Sequence, residues 1–295
     1  MQQSQPESPK IFAVSRSRGK RAGESSLTKK MRERRIALGK GRESDESEPE
    51  EDLEAGAVVL HQLFNRKVVR YPDNTVVKSG PRIPLGEAEA LKVAELAGIP
   101  APRLRDMQAD GFRMTCIEGT TLHDLWPAMP HEQRKDIVLQ LRAILTKMRS
   151  LEPPPESMIG ACDGKEIRDT RIHFTYHGPP CENEEAFNQF LLSSFHPRTP
   201  SAVREALARR LKTHHRIVLT HCDLSPRNIM VHDGKITGLI DWEDGGWYPE
   251  YWEFIKFFER GAPEVGWKEF ASDIFAEMYP DELVDLTAFS KYQDV

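Results

Sequence analysis

Cysteine is scarce in this sequence. Four occur in 295 residues, Cys116, Cys162, Cys181 and Cys222, and no two form a Cys-x-x-Cys pair. Neither a zinc knuckle nor a disulfide framework is indicated, and a reducing compartment is the simple expectation. Long apolar runs are absent too. None approaches the roughly 20 residues of a membrane span, and the first thirty residues lack a signal-peptide core. A cytoplasmic location with no membrane partner is therefore expected. Glycine-rich phosphate loops are also missing: there is no Gly-x-Gly-x-x-Gly and no Gly-x-x-x-x-Gly-Lys-Ser/Thr. The first half of the chain is then neither a Rossmann nor a Walker site.

The net charge of −5 conceals an asymmetry. Residues 1–42 hold twelve Lys or Arg against three Glu, and residues 43–54 hold eight Asp or Glu and no base. Residues 1–54 are poor in aromatics and cannot bury enough apolar surface to offset their ordering entropy. A disordered tail is expected there, with a short helix around Leu27 to Leu38. The basic runs at 16–21 and 29–35 read as solvated tail, with nuclear import or weak polyanion contact as the alternative. The remainder is mildly acidic and gives no sign of a nucleic-acid-binding fold.

Lys67 to Lys78 predicts a hairpin, with Pro72-Asp73-Asn74 at the turn. Lys78 shares a strand face with Val76 because side chains alternate. Leu85 to Ala97 follows as a helix stopped by Gly98, and Phe112 to Ile117 reads as a strand. Pro130 to Arg149 is the clearest helix, with Ile137, Leu141, Ile144, Leu145 and Met148 at helical spacing. Residues 153–183 read as a long loop. His173, Tyr176, His177 and Cys181 lie in it as scattered polar groups, since their spacing fits no common metal pattern. A helix carrying Phe187, Phe190 and Leu191 comes next. Another follows Thr199-Pro200 and carries Val203, Ala206, Leu207 and Leu211. Glu250 to Arg260 is so apolar that it must be mostly buried. Gly266 to Met278 reads as an amphipathic helix.

The chemistry concentrates at residues 219–243. Asp223 and Asn228 share one short loop. Ile229 to His232 is a β-rich run, Asp233-Gly234 is a two-residue hairpin turn, and Ile236 to Ile240 returns to end at Asp241. The hairpin folds Asp241 back towards the loop, bringing together three oxygen-bearing side chains of the kind a magnesium–nucleotide site uses. Protein kinases place an Asp base, an Asn five positions later and a further metal-binding Asp in this order.

His221-Cys222-Asp223 with Asn228, then Ile240-Asp241-Trp242-Glu243 without Asp-Phe-Gly, resembles the aminoglycoside phosphotransferase and choline kinase-like family. The run from Asp241 through Gly246-Trp247-Tyr248-Pro249-Glu250-Tyr251-Trp252-Glu253 is similar to its fungal members. The resemblance spans roughly residues 57–290, and its motifs are specific around 221–253. It implies an α+β, protein kinase-like two-lobed fold. A small antiparallel sheet lobe would occupy 57–117, and a mainly helical lobe 118–295. It implies ATP and magnesium as cofactors and a small-molecule hydroxyl as acceptor. Asp223 would accept or orient the acceptor's proton. Asn228 and Asp241 would hold the metal. Lys78 would steady the non-transferred phosphates, paired with Glu87 rather than Glu89. Backbone at Cys116 and Ile117 would read adenine's edge.

Other residues stay open. His221 is expected to be structural. Ser225 and Arg227 could touch phosphate or substrate, or shape the loop. Glu243, Asp244, Glu250 and Glu253 could suit an amine-bearing alcohol or equally face solvent. Acceptor pockets in the resembled family come from variable segments, here roughly 153–200 and 247–290. Cys222 departs from the family's usual Gly. Two readings compete with the enzyme. One is a catalytically inactive nucleotide-binding or scaffold protein on the same fold. The other is a nucleic-acid-associated protein acting through residues 1–54, whose binding would fall steeply with salt.

Overall fold

β-branched residues clustered at Val58, Val59, Val68, Val69, Thr75, Val76 and Val77 favour pleated strands over helix. The computed structural model describes residues 53–63, 66–81, 83–171, 175–261 and 264–293. The tail expected to be disordered, its helix and its basic runs lie outside the described residues, apart from residues 53–54; His173 lies outside them too. Strands β1 (Val58–Leu63), β2 (Arg66–Arg70), β3 (Thr75–Ser79), β4 (Leu104–Gln108) and β5 (Gly111–Thr115) form one antiparallel sheet in the order β1-β2-β3-β5-β4. The β2–β3 turn falls where expected, with Asn74 left-handed and Asp73 accepting the Thr75 N–H at 3.0 Å. Helix α1 (Gly86–Leu96) buries Ala88, Ala90, Leu91 and Ala94.

Strand β5 stops at Thr115, two residues short of the expected Ile117: its neighbour β3 begins at Thr75, and beyond that the left-handed turn residue Asn74 offers only its carbonyl, to Cys116. Residues 116–119 then connect to β6 (Thr120–Thr121), which pairs with β11 (Ile229–His232) of the second lobe. Gly119 is required in that connection. Its φ is +122°, and a Cβ there would stand 2.4 Å from the Val231 carbonyl oxygen.

The second lobe is mainly helical, with short strands that carry the loops. After a short helix α2 (Leu122–Leu125), helix α3 (His131–Arg149) buries Ile137, Val138, Leu141, Leu145 and Met148 on one face. Helix α4 (Glu184–Ser193) buries Phe187 and Leu191. Helix α5 (Ser201–Ala208) has Pro200 rather than Thr199 at its cap and buries no residue fully. Strand β10 (Ile217–Thr220) pairs with β13 (Gly246–Pro249), which pairs with β7 (Gly160–Ala161). Strand β11 pairs with β12 (Lys235–Leu239) across Asp233 and Gly234, both at positive φ, and a bulge near Val231 absorbs the longer return strand. Helix α6 (Trp252–Glu259) is buried from Trp252 to Phe257. Among the described residues no helix is long and apolar enough to cross a membrane.

Two expectations fail. Residues 153–183 are not a plain loop: they hold β7 and a hairpin of β8 (Ile167–Thr170) and β9 (Thr175–Gly178). The hairpin is anchored by charge rather than by apolar alternation, since Asp169 is buried against Lys256 and Thr170 donates to Asp244 at 2.9 Å. A hydrophobicity pattern does not reveal such a strand. Gly266 to Met278 is not one helix either. A 3₁₀ turn at Lys268–Phe270 leads into α7 (Ala271–Ile274), the chain extends at Phe275, and α8 (Pro280–Ser290) closes the lobe. Phe275 leaves the helix to set its ring edge-on to Phe254 and Phe257, at 5.2 and 5.3 Å.

Candidate active site

Strand alternation and the bulged hairpin decide what meets between the lobes. Lys78 extends from β3 and donates to Glu87 of α1 at 2.6 Å and to Asp241 at 2.7 Å. Glu87 is 1% exposed, whereas Glu89 faces outward and pairs with Lys92. Burial disfavours the Lys78 ammonium, but the two carboxylates outweigh it and raise its pKa. Burial pushes Glu87 up to about 7 despite the neighbouring ammonium. Asp241 behaves oppositely. Burial would raise it, yet Lys78 dominates and holds it at about 2. Two-fifths of its side chain stays open to solvent, and its backbone is left-handed, with φ +64°.

The loop after β10 runs through His221 to Ser225 and into a 3₁₀ turn at Pro226–Asn228. Asp223 is 6% exposed. One of its carboxylate oxygens accepts from the Ser225 hydroxyl and N–H. The other accepts from Arg227 at 2.6 Å and lies 4.0 Å from Arg260. Burial would raise this carboxyl, but Arg260 and Arg227 outweigh it and keep it below the usual carboxylate range. Asn228 donates its amide N–H to the Asp223 carbonyl at 3.1 Å, which leaves its side-chain oxygen as the free end. The Asn228 carbonyl accepts the Ile240 N–H at 2.9 Å, so the hairpin returns the residue before Asp241 directly onto Asn228.

His221 ties the two segments together. Its ring lies 4.6 Å from that of Trp242. Nδ1 accepts the Asp223 N–H at 3.2 Å, and Nε2–H donates to the Ile240 carbonyl at 3.1 Å. Burial pushes its pKa down against the pull of Asp223 and Asp241, which keeps it neutral. Cys222 is buried with φ +68°, a conformation costly for a residue bearing a Cβ. Burial raises its thiol well above the ordinary range.

Cys116 and Ile117 stand on the connector between the lobes. The Cys116 N–H already donates to the Asn74 carbonyl at 3.0 Å, so adenine recognition by that residue would fall to its carbonyl. The Ile117 side chain packs against Gly238 of β12. Residue Asn65 lies outside the described residues. Its neighbour Arg66 sits 3.5 Å from Glu243.

The acids offered for an amine-bearing alcohol turn out to be engaged. Glu243 lies between Arg66 and Arg168. Asp244 takes Arg260, Arg168 and Thr170, and Glu250 takes Arg216. Glu253, 2% exposed, accepts the His221 N–H at 2.6 Å and the Cys222 N–H at 2.9 Å. Arg260 donates to the Cys222 carbonyl at 3.2 Å. Glu253 in the first turn of α6 and Arg260 at its C-terminal cap thus grip the backbone of the Asp223 loop with an acid and a cation. Neither role was read from the sequence. The available signal was a charge inside a run of aromatics, which must find a partner when buried.

Among the described residues no cluster of three His, Cys, Asp or Glu could hold a metal. A magnesium ion does not need one. It keeps several waters and takes one or two protein oxygens beside phosphates, which suits Asn228 and the ionised Asp241.

The sequence profile of a family described as "Phosphotransferase enzyme family" matches residues 68–282. No curated protein matches the chain in sequence. Solved structures do match in fold. The ADP-bound aminoglycoside phosphotransferase APH(2'')-Ib superposes with a TM-score of 0.54 at 14% identity, covering 80% of each chain. The gentamicin complex of APH(2")-IIa gives 0.53 at 14% identity, again over 80% of each. APH(3'')-Id from Streptomyces rimosus gives 0.50 at 17% identity, over 90% of this chain and 97% of that one.

Proposed function

Given that the chain belongs to the phosphotransferase enzyme family, we propose that it transfers the γ-phosphate of ATP to a hydroxyl of a small molecule. The observation that carries this reading is the double pairing of Lys78 with Glu87 and Asp241, which fixes a cation from the small lobe against the carboxylate that ends the hairpin. The ADP-bound neighbour is consistent with nucleotide binding by this fold.

Lys78 would exchange Asp241 for the α- and β-phosphates while Glu87 holds it in place. The Cys116 carbonyl and the Ile117 backbone would bracket adenine. Asn228 and Asp241 would hold magnesium, which when bound neutralises charge on the β- and γ-oxygens. Asp223 would receive the acceptor hydroxyl and orient it for in-line attack. Its lowered pKa keeps it ionised and able to accept from a hydroxyl, but makes it a weak proton store; that suffices because phosphoryl transfer depends mostly on positioning and charge. Ser225 and Arg260 fix its carboxylate from two sides.

The test is ADP release from the purified chain across a panel of hydroxyl metabolites. Asp223→Asn should lower turnover at least about 100-fold, the range for a positioned acid–base group, with nucleotide binding retained. Asp241→Ala should weaken magnesium–nucleotide binding. Normal turnover in both variants would overturn the assigned residue roles, and nucleotide binding without any Asp223-dependent ADP release would leave the scaffold reading.

A further inference from the structure

The charges around Asp223 bear on which acceptor fits. Glu243, Asp244, Glu250 and Glu253 are each held by a cation or by backbone N–H groups of the protein itself. An incoming amine would have to break one of those pairs. Arg227 is placed differently. It sits in the 3₁₀ turn, is 52% exposed, and rests its guanidinium 2.6 Å from the Asp223 oxygen that an acceptor hydroxyl would approach. A hydroxyl seated on Asp223 competes with that guanidinium. Once displaced, Arg227 stands beside the acceptor as an exposed cation in search of an anion. Its planar fork matches a carboxylate with two parallel hydrogen bonds.

Resting on the phosphotransferase reading above, we propose that the acceptor is a hydroxy acid, and that Arg227 leaves Asp223 to bind the acceptor's carboxylate. In the transfer, the alcohol oxygen forms its bond to the γ-phosphorus as the bond from that phosphorus to the ADP oxygen breaks. The hydroxyl proton passes to Asp223 and on to solvent. Arg227 makes and breaks no covalent bond. It positions the acceptor and offsets the repulsion between its carboxylate and the triphosphate.

The experiment measures kcat and KM by ADP release with two sets of probes that differ mainly in charge: glucuronate, glucose and glucosamine, and glycerate, glycerol and 3-amino-1,2-propanediol. The carboxylate member of a set should be preferred by about ten-fold or more in kcat/KM, the range of one charge-assisted pair. Arg227→Met should erase that preference through KM, and Arg227→Lys should keep part of it. Three results overturn the proposal. One is a preference for the amines over the carboxylates. Another is an effect of Arg227→Met on the KM for ATP alone, which would assign the guanidinium to the triphosphate. The third is that no carboxylate probe either turns over or alters Asp223-dependent ATP hydrolysis. Absence of any Asp223-dependent ADP release is a separate outcome. It removes the phosphotransferase reading itself, and this proposal with it.

Discussion

Replacing Glu253 by Gln should make the protein more stable at alkaline pH and less active. The carboxyl is raised from its ordinary 4.5 to about 7 by burial, against the opposing pull of two backbone N–H groups. Between those values the folded state binds a proton that the unfolded chain has released. Stability therefore falls as pH rises through this window, and the loss is complete above about 7. At about 1.36 kcal/mol per pH unit the loss comes to about 3 kcal/mol. A glutamine of the same shape escapes it. The two proteins should unfold with equal free energy near pH 4.5, and the variant should lead by about 3 kcal/mol at pH 8. Activity moves the other way. Gln offers one acceptor where two N–H groups point, so the His221–Cys222 backbone loses its seating and Asp223 its aim. Turnover at pH 8 should fall at least about ten-fold, as small misplacements of reacting groups cost. Denaturant unfolding at pH 4.5 and 8, with ADP release at pH 8, measures both effects. Glu87 titrates in the same window, but it is common to both proteins and cancels in the comparison. A stability difference that does not change with pH, or a fully active variant, would refute the reasoning.

Two further substitutions probe the backbone. Cys222→Gly removes a left-handed Cβ, a gain of about 1 kcal/mol, and gives up a buried side chain of similar worth. Its unfolding free energy should stay within about 1 kcal/mol of the parent, with turnover not reduced; a large loss of either would show that the thiol is needed. Gly119→Ala should cost about 2 kcal/mol or more, because the new methyl meets the Val231 carbonyl and φ is +122°. It should also raise the KM for nucleotide by displacing the connector, and unchanged melting would contradict the contact.

What the sequence made legible was local. Asp233-Gly234 announces its own turn, so the arrival of Ile240 at Asn228 could be read by counting along a hairpin. Strand alternation and helix facing said only that one of Glu87 and Glu89 could meet Lys78, and the family resemblance singled out Glu87. What escaped was long-range or written in charge. Glu253 and Arg260 act on backbone groups more than thirty residues away, and a backbone acceptor leaves no mark in the sequence. The β8–β9 hairpin is fastened by Asp169 and Thr170, so apolar alternation could not find it. Phe275 satisfied the helical spacing of its neighbours and still left the helix, because its burial site lay between two rings of α6. The four acids near the site looked equally free in the sequence, because a string of letters does not say which carboxylate already has a partner.

The gripping of the Asp223 loop by Glu253 and Arg260 has a consequence for how such a scaffold can diversify. The mounting lies inside the core and is braced by the β8–β9 hairpin, whose Arg168 and Thr170 hold the Asp244 that pairs with Arg260. Exposed segments away from these contacts can be exchanged for others without disturbing the seating of Asp223. A chain can then keep the shape of its neighbours while sharing 14% of their residues, with the Asp223 loop fixed from beneath.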